Sequence, residues 1–279
     1  MRPTFSFQLK FQLLLVLLSS VFCEAQSPWT QTKAGFYAQV AWQGIPAYHQ
    51  VFNGFEVSDL NGKIGDQSLQ LYGEYGFNRK WTGIIALPLR WTQRRPIDEL
   101  DPPMATLTGL GNASLGLKRG FMAAGHQFAG TLTFDLPAGS QEKSGLRTGF
   151  NAFTVHPSFS AGKGLRRIYW YLYTGAGIRT NNYSSFVQSG GECGVHFGRV
   201  WGIAFSEWMQ SLKDGNRLEA DGLNTGLFTD RQSWWSYGLK TIIKTGRFTG
   251  LVFSAGGALN GYNVANRPAL SVGYYFKWD

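Results

Sequence analysis

The stretch from Asp66 to Trp91 constrains this chain more than any other. Leu69, Leu71, Gly73, Tyr75 and Phe77 fall on one side of an alternating segment, and Gln70, Tyr72, Glu74 and Gly76 fall on the other. Asn78, Arg79 and Lys80 reverse the chain, and Trp81 to Trp91 returns with Ile85, Leu87, Leu89 and Trp91 on its apolar face. Period-two alternation marks a strand with one dry and one wet face, because successive side chains leave opposite sides of the backbone. A soluble hairpin would also satisfy it. The rest of the chain repeats the pattern, with an aromatic residue near most strand ends.

About twelve strands are predicted on this basis. The first runs from Gly35 to Gln43, and the hairpin above supplies the next two. Then come Gly109 to Phe121, Gln127 to Pro137, Phe153 to Gly162, Tyr169 to Arg179 and Phe186 to Phe197. The last four are Val200 to Gln210, Trp234 to Lys244, Phe248 to Leu259 and Pro268 to Trp278. Alternation is cleanest at 127–137 and 268–278. It is poor at 200–210, where Glu207 shares a face with Trp201, Ile203 and Phe205, so a bulge is one way to restore the pattern there.

The connections alternate in length. Long ones are predicted at 44–65, 92–108, 138–152, 211–233 and 260–267, with a shorter one at 180–185. Tight turns separate them at Asn78–Lys80, Met122–His126, Lys163–Ile168, Gly198–Arg199 and Thr245–Arg247. Short turns on one side and long loops on the other are what an up-and-down transmembrane barrel requires, whereas a soluble sandwich has no reason to keep that order. The predicted fold class is therefore all-β, a transmembrane up-and-down antiparallel β-barrel of about 12 strands in the outer membrane of a Gram-negative cell. Closure suits that setting, since in lipid every backbone N–H and C=O must pair within the sheet. The final strand spaces Tyr274, Phe276 and Trp278 as an amphipathic terminal signal for the barrel assembly machinery, with Asp279 following the last aromatic.

Residues 1–25 have the form of a secretory signal peptide, leaving 26–279 as a single barrel domain. Arg2 and Lys10 give a basic start, Leu13 to Val21 an apolar run, and Ala25 a small residue before Gln26. A lipoprotein signal would use Cys23 instead, but Phe22 is a poor residue directly before a lipidated cysteine. Without the signal only Cys193 remains, which excludes an intrachain disulfide. Gly 36, Phe 21, Tyr 12 and Trp 10 with 15% charged residues suit a barrel with aromatic girdles at two interfaces. The net charge of +9 becomes +8 when Arg2, Lys10 and Glu24 leave with the signal. In an exported chain that charge points to outer-membrane lipids and other anionic surfaces rather than to nucleic acid.

Two segments carry a family resemblance. One is Leu71-Tyr72-Gly73-Glu74-Tyr75-Gly76 with its short turn and a strand ending near Pro88, and the other is Gly109-Leu110-Gly111-Asn112-Ala113-Ser114-Leu115-Gly116-Leu117-Lys118. Together they resemble the outer-membrane barrels named for a MetA-type pathway of phenol degradation, which are regarded as transporters. The family usually carries Asp where this chain has Asn112. The resemblance implies a barrel and passage of an apolar compound, and it implies no catalytic residue.

The residues themselves offer three functions. If the registers hold, the polar faces place Glu74, Lys118, Asp135, His156, Arg179, Glu192, His196, Lys240 and Lys277 in the lumen. Both signs are present, so charges can pair across a narrow interior, whose width grows with strand number. The preferred function is a channel or transporter for a small, hydrophobic or aromatic solute, with Tyr48, Phe52, Phe55, Leu100, Phe150 and Phe228 available in the loops for an apolar mouth. The second is a structural or surface-interaction barrel with a plugged lumen. The third is a lipid-acting hydrolase using Ser158 as nucleophile and His156 as base, which lie on one face of one strand and would need an acid or amide from another. No metal or other cofactor is expected: Glu192 and His196 share a face but lie about 13 Å apart at ~3.3 Å per residue.

Overall fold

The computed structural model describes residues 26–140, 145–216 and 227–279, so the expected signal at 1–25 lies outside the described residues. The strands are β1 (Phe36–Gly54), β2 (Glu56–Gly76), β3 (Trp81–Arg95), β4 (Ala105–Leu110), β5 (Ala113–Ala123), β6 (His126–Leu136) and β7 (Thr154–Gly164). They continue as β8 (Ile168–Arg179), β9 (Phe186–Phe197), β10 (Val200–Ser211), β11 (Ser233–Lys244), β12 (Thr249–Ala265) and β13 (Ala269–Trp278). All pairings are antiparallel. β1 pairs with both β2 and β13, and β2 with β3, so the sheet closes on itself.

β4 and β5 are two halves of one strand. Leu89 to Arg94 of β3 pair with β4, and Trp81 to Ala86 of β3 pair with β5, which makes a barrel of 12 staves. Between those ladders β3 spends two residues, Leu87 and Pro88, against Gly111, Asn112 and Ala113 on its partner. The extra residue is a bulge, and proline explains its place: Pro88 has no N–H to offer the ladder. Its carbonyl accepts the Gly111 N–H at 2.8 Å, and a Cβ on Gly111 would lie 2.9 Å from the proline ring.

The turns 77–80, 124–125, 165–167, 198–199 and 245–248 share one end with both barrel termini, where Phe36 pairs with Trp278, while Phe55 and 266–268 turn the chain at the other. The opposite end carries the connections 96–104, 137–153, 180–185 and 212–232. Around the outside, Leu71, Leu87, Leu115, Leu132, Leu172, Trp208 and Val272 are exposed, a belt that only hydrocarbon would shelter.

Three strands outrun the sequence expectation. β1, β2 and β12 hold 19, 21 and 17 residues, where a tilted crossing needs about 9–11. The segments 44–65 and 260–267, expected to be loops, are largely strand. Their protruding part has a small core of its own in Tyr48, Val51, Leu60, Ile64 and Ala265. No bulge restores the alternation of β10, which pairs without a register shift to both β9 and β11. Its mixed face is simply the inner one, where Ile203, Phe205 and Glu207 sit together while Ala204, Ser206 and Trp208 are exposed.

Candidate functional site

The chain closes its own barrel at the short-turn end. Residues 26–35 fold back inside, with Pro28 fully buried. Lys118 on β5 reaches three acceptors with its ammonium: Glu74 Oε1 at 3.1 Å, the Trp29 carbonyl at 3.3 Å and Ser27 Oγ at 3.4 Å. Gln31 donates to the other oxygen of Glu74 at 2.6 Å, and Tyr72 also donates to that carboxylate at 2.7 Å. Across the lumen, the Trp29 ring meets Tyr169 and Tyr171 of β8 edge-on, at 5.5 and 5.7 Å. Gly76 makes room for the segment, since a Cβ there would strike the Thr32 carbonyl at 1.8 Å.

The loops close the other end. Asn112 in the bulge binds the 137–153 loop with both ends of its amide: Nδ2 donates to the Phe150 and Leu136 carbonyls at 2.8 and 3.0 Å, and Oδ1 accepts the Phe150 N–H at 2.6 Å. Thr148 donates to the Leu110 carbonyl at 2.7 Å. From the following long loop, Phe228 meets Phe150 edge-on at 5.4 Å, and Arg147 donates to the Phe228 carbonyl at 3.0 Å. Arginines from the wall cover these rings. Arg90 lies 4.6 Å from the centre of Phe228, and Arg179 lies 4.0 Å from Phe150 and 4.4 Å from Phe186. Such cation–π contacts strengthen as water is excluded. Phe228 adopts φ +58°, an uncommon conformation for a bulky residue and one the surrounding contacts must hold.

Between the two closures lies a cavity of about 300 Å³. Tyr173, Phe205, Phe228, Trp234 and Val264 give it an apolar wall, and Asp66, Arg90, Glu192, Glu207, Lys240 and Arg267 bring charge to it. Four of those charges are paired: Arg90 with Asp66 at 3.1 Å, and Lys240 with Glu192 at 2.8 Å. Tyr169 donates to the remaining oxygen of Glu192 at 2.6 Å. Glu207 is different, because its partners are Tyr173 OH at 2.6 Å and Trp234 Nε1 at 3.2 Å. A second hollow, open at the surface, is lined by the outward Leu172, Cys193, Ala204, Trp208 and Trp235. It shares Tyr173, Gly191, Glu192, Phe205 and Ser206 with the cavity, so only the sheet separates the two here, with the Tyr173 ring packed over Gly190 and Leu172 over Gly191.

The residues expected in the lumen do not form one group. Glu74 and Lys118 brace residues 26–35, and Glu192 and Lys240 border the cavity. Asp135 accepts a hydrogen bond from Ser114 at 2.6 Å, and Arg179 belongs to the outer closure. His196 stacks on Trp201 at 4.6 Å near the short-turn end. Lys277 is exposed at the rim beside Asp279, 3.0 Å away, where β13 reaches the barrel edge. His156 rests against Phe186 at 5.7 Å, and its Nε2 has no hydrogen-bond partner among the described residues, so Ser158 and His156 are not joined as nucleophile and base. Of the loop aromatics, Phe150 and Phe228 close the outer end, Tyr48 is buried in the protruding hairpin, and Phe55 and Leu100 stand in the open. Tyr173 and Trp234 carry no mark in the sequence as site residues. For Glu207 the signal is the broken alternation of β10, which marks an inner face that is itself apolar.

A closed antiparallel barrel with an apolar outer belt is an outer-membrane β-barrel, and that is the class to which this chain belongs. No family model matches the chain, and no curated protein matches it. Among solved structures, an outer membrane channel from Pseudomonas putida F1 superposes with a TM-score of 0.69 at 12% identity, over 93% of this chain and 100% of that one. The β domain of the Bordetella autotransporter BrkA gives a TM-score of 0.50 at 12% identity, over 88% and 100%. The KdgM porin gives 0.48 at 6% identity, over 86% and 99%. At these identities the likeness is one of fold.

Proposed function

We propose that this barrel is an outer-membrane channel or transporter for a small apolar or aromatic solute. The observation that carries the reading is the cavity of about 300 Å³ with Tyr173, Phe205, Phe228 and Trp234 on its wall, held between two closures built from the chain itself. Its volume is at the lower end of small-molecule sites, about 300–1,000 Å³. An open water-filled pore would need neither aromatic walls nor closures. The likeness in fold to a channel from Pseudomonas putida F1 supports the same class of function, as does the resemblance to the phenol-degradation barrels in the segments 71–76 and 109–118. The stretch of wall that the cavity shares with the outer hollow, from Gly191 to Glu192 and from Phe205 to Ser206, suits a solute that is more soluble in lipid than in water. Outer-membrane lipids and the barrel assembly machinery are the partners this function entails.

The second reading is a plugged structural barrel, favoured by closure at both ends. The test is conductance in planar bilayers, together with aromatic-solute uptake into liposomes, for the intact protein and for a variant lacking residues 26–33. Transport requires that the intact protein admit an aromatic solute while conducting ions weakly, and that the variant conduct several-fold more. Silence from both folded proteins, with no uptake of solute, would leave the plugged barrel.

A further inference from the structure

Of the three carboxylates that line the cavity, one stands without a cation, and Arg267, the cavity's remaining charged residue, is exposed. Asp66 is matched by Arg90 and Glu192 by Lys240, but among the described residues Glu207 has no ion-pair partner. Tyr173 and Trp234 donate one hydrogen bond to each of its oxygens. An ionised carboxylate has about four acceptor sites, so about two stay open. Part of the Glu207 surface is accessible, and the residue lines the cavity. A carboxylate kept from bulk water without a cation is costly, and the described residues pair none with it. Around it stand the rings of Tyr173, Phe205 and Trp234, whose faces attract positive charge.

We propose that the cavity binds a small organic amine in its protonated form, with Glu207 receiving the ammonium group and the aromatic wall receiving the apolar body. The proposal rests on the cavity being the solute site and names the chemical class of that solute. An ammonium N–H would fill the open acceptor sites, and its charge would replace the missing partner. The flanking methylene groups, polarised by the nitrogen, would lie against Trp234 and Phe205. A neutral alcohol could donate one hydrogen bond but would leave the charge uncompensated. A carboxylate of the same size would meet Glu207 as a like charge. A metal ion is a poor fit: no group of three His, Cys, Asp or Glu converges among the described residues, and Glu192 is already held by Lys240 and Tyr169.

The experiment is calorimetric titration of the refolded full barrel with 2-phenylethylammonium, 2-phenylethanol and 3-phenylpropanoate, which share a ring and differ in charge. The ammonium should bind about tenfold or more tightly than the alcohol, the difference expected of a charge-assisted hydrogen bond, and the carboxylate more weakly than either. Glu207→Gln should weaken the ammonium about tenfold and leave the alcohol within about twofold. Folding is checked by heat-modifiable migration. Glu207→Asp, which keeps the charge, should retain the preference for the cation, so the proposal does not hang on one variant. Equal binding of all three compounds, or an ammonium affinity indifferent to Glu207→Gln, would overturn the amine assignment and leave the apolar cavity standing. Failure of all three to bind would overturn both.

Discussion

Lys118 is fully buried, and its surroundings account for it acceptor by acceptor. An ammonium has three protons to donate, and Glu74, the Trp29 carbonyl and Ser27 take them. Removing one partner of a buried pair strands the other, at a cost of about 3–5 kcal/mol, whereas replacing both is far milder. Lys118→Met should therefore destabilise the barrel by about 3 kcal/mol or more, and adding Glu74→Gln should restore much of it, as read by urea unfolding in detergent. Equal losses in the single and double variants would show that the pair is not coupled. Asn112 makes a sharper case, because its amide both donates to and accepts from Phe150. Asn112→Asp removes two donated bonds and sets an anion against the Phe150 and Leu136 carbonyls, so the 137–153 loop should loosen. Faster amide exchange at Phe150 is the expected result, and unchanged exchange would refute the anchoring role. These residues were legible in part. Glu74 lies within the first family-like segment and Lys118 ends the second, but nothing in either segment said that they pair, or that Ser27, Trp29 and Gln31 pack against them.

Among the elements, the membrane-crossing strands were readable because lipid on one side and a polar lumen on the other force alternation. Beyond the lipid that force lapses. In the sequence from Gly44 to Gly54 the pairing with β2 shifts register between Ile45 and Tyr48 and again between Tyr48 and Gln50, and both faces meet water or the small hairpin core, so the period-two signal fades and the strand reads as a loop. β10 misled for the converse reason, since its inner face borders an apolar cavity. The loops carry their own local rules. Between β3 and β4, the Asp101 carboxylate accepts the N–H groups of Ile97 at 2.7 Å and Asp98 at 3.0 Å, and these bonds hold its pKa below the ordinary 3.8. A lowered pKa means that the folded turn favours the ionised form. Its contribution is complete above the ordinary value and is lost as pH falls through the lowered one. Amide protection at Ile97 and Asp98 should thus hold at pH 5 and fail only below about 3.8. Asp101→Ala should remove both the protection and its pH dependence.

For the whole molecule, inside and outside are decided by register: a slip of one residue would turn every strand face over. β9 shows the consequence in two adjacent residues, with Glu192 turned in toward Lys240 and Cys193 turned out between Trp170 and Ala204. In protein refolded from residue 26 onward, Cys193 is the single cysteine and so a native probe of the outer surface. A nitroxide placed there should collide freely with oxygen, which concentrates in hydrocarbon, and rarely with a water-soluble nickel chelate. In a Cys193→Ala background, a nitroxide at Leu100→Cys should show the reverse, because Leu100 stands fully exposed in the loop beyond β3. A Cys193 label as open to the nickel chelate as the Leu100 label would mean that water reaches this face. The belt of leucines and aromatics would then need another explanation, and the aromatic cavity behind Gly191 would no longer be separated from lipid by the sheet alone.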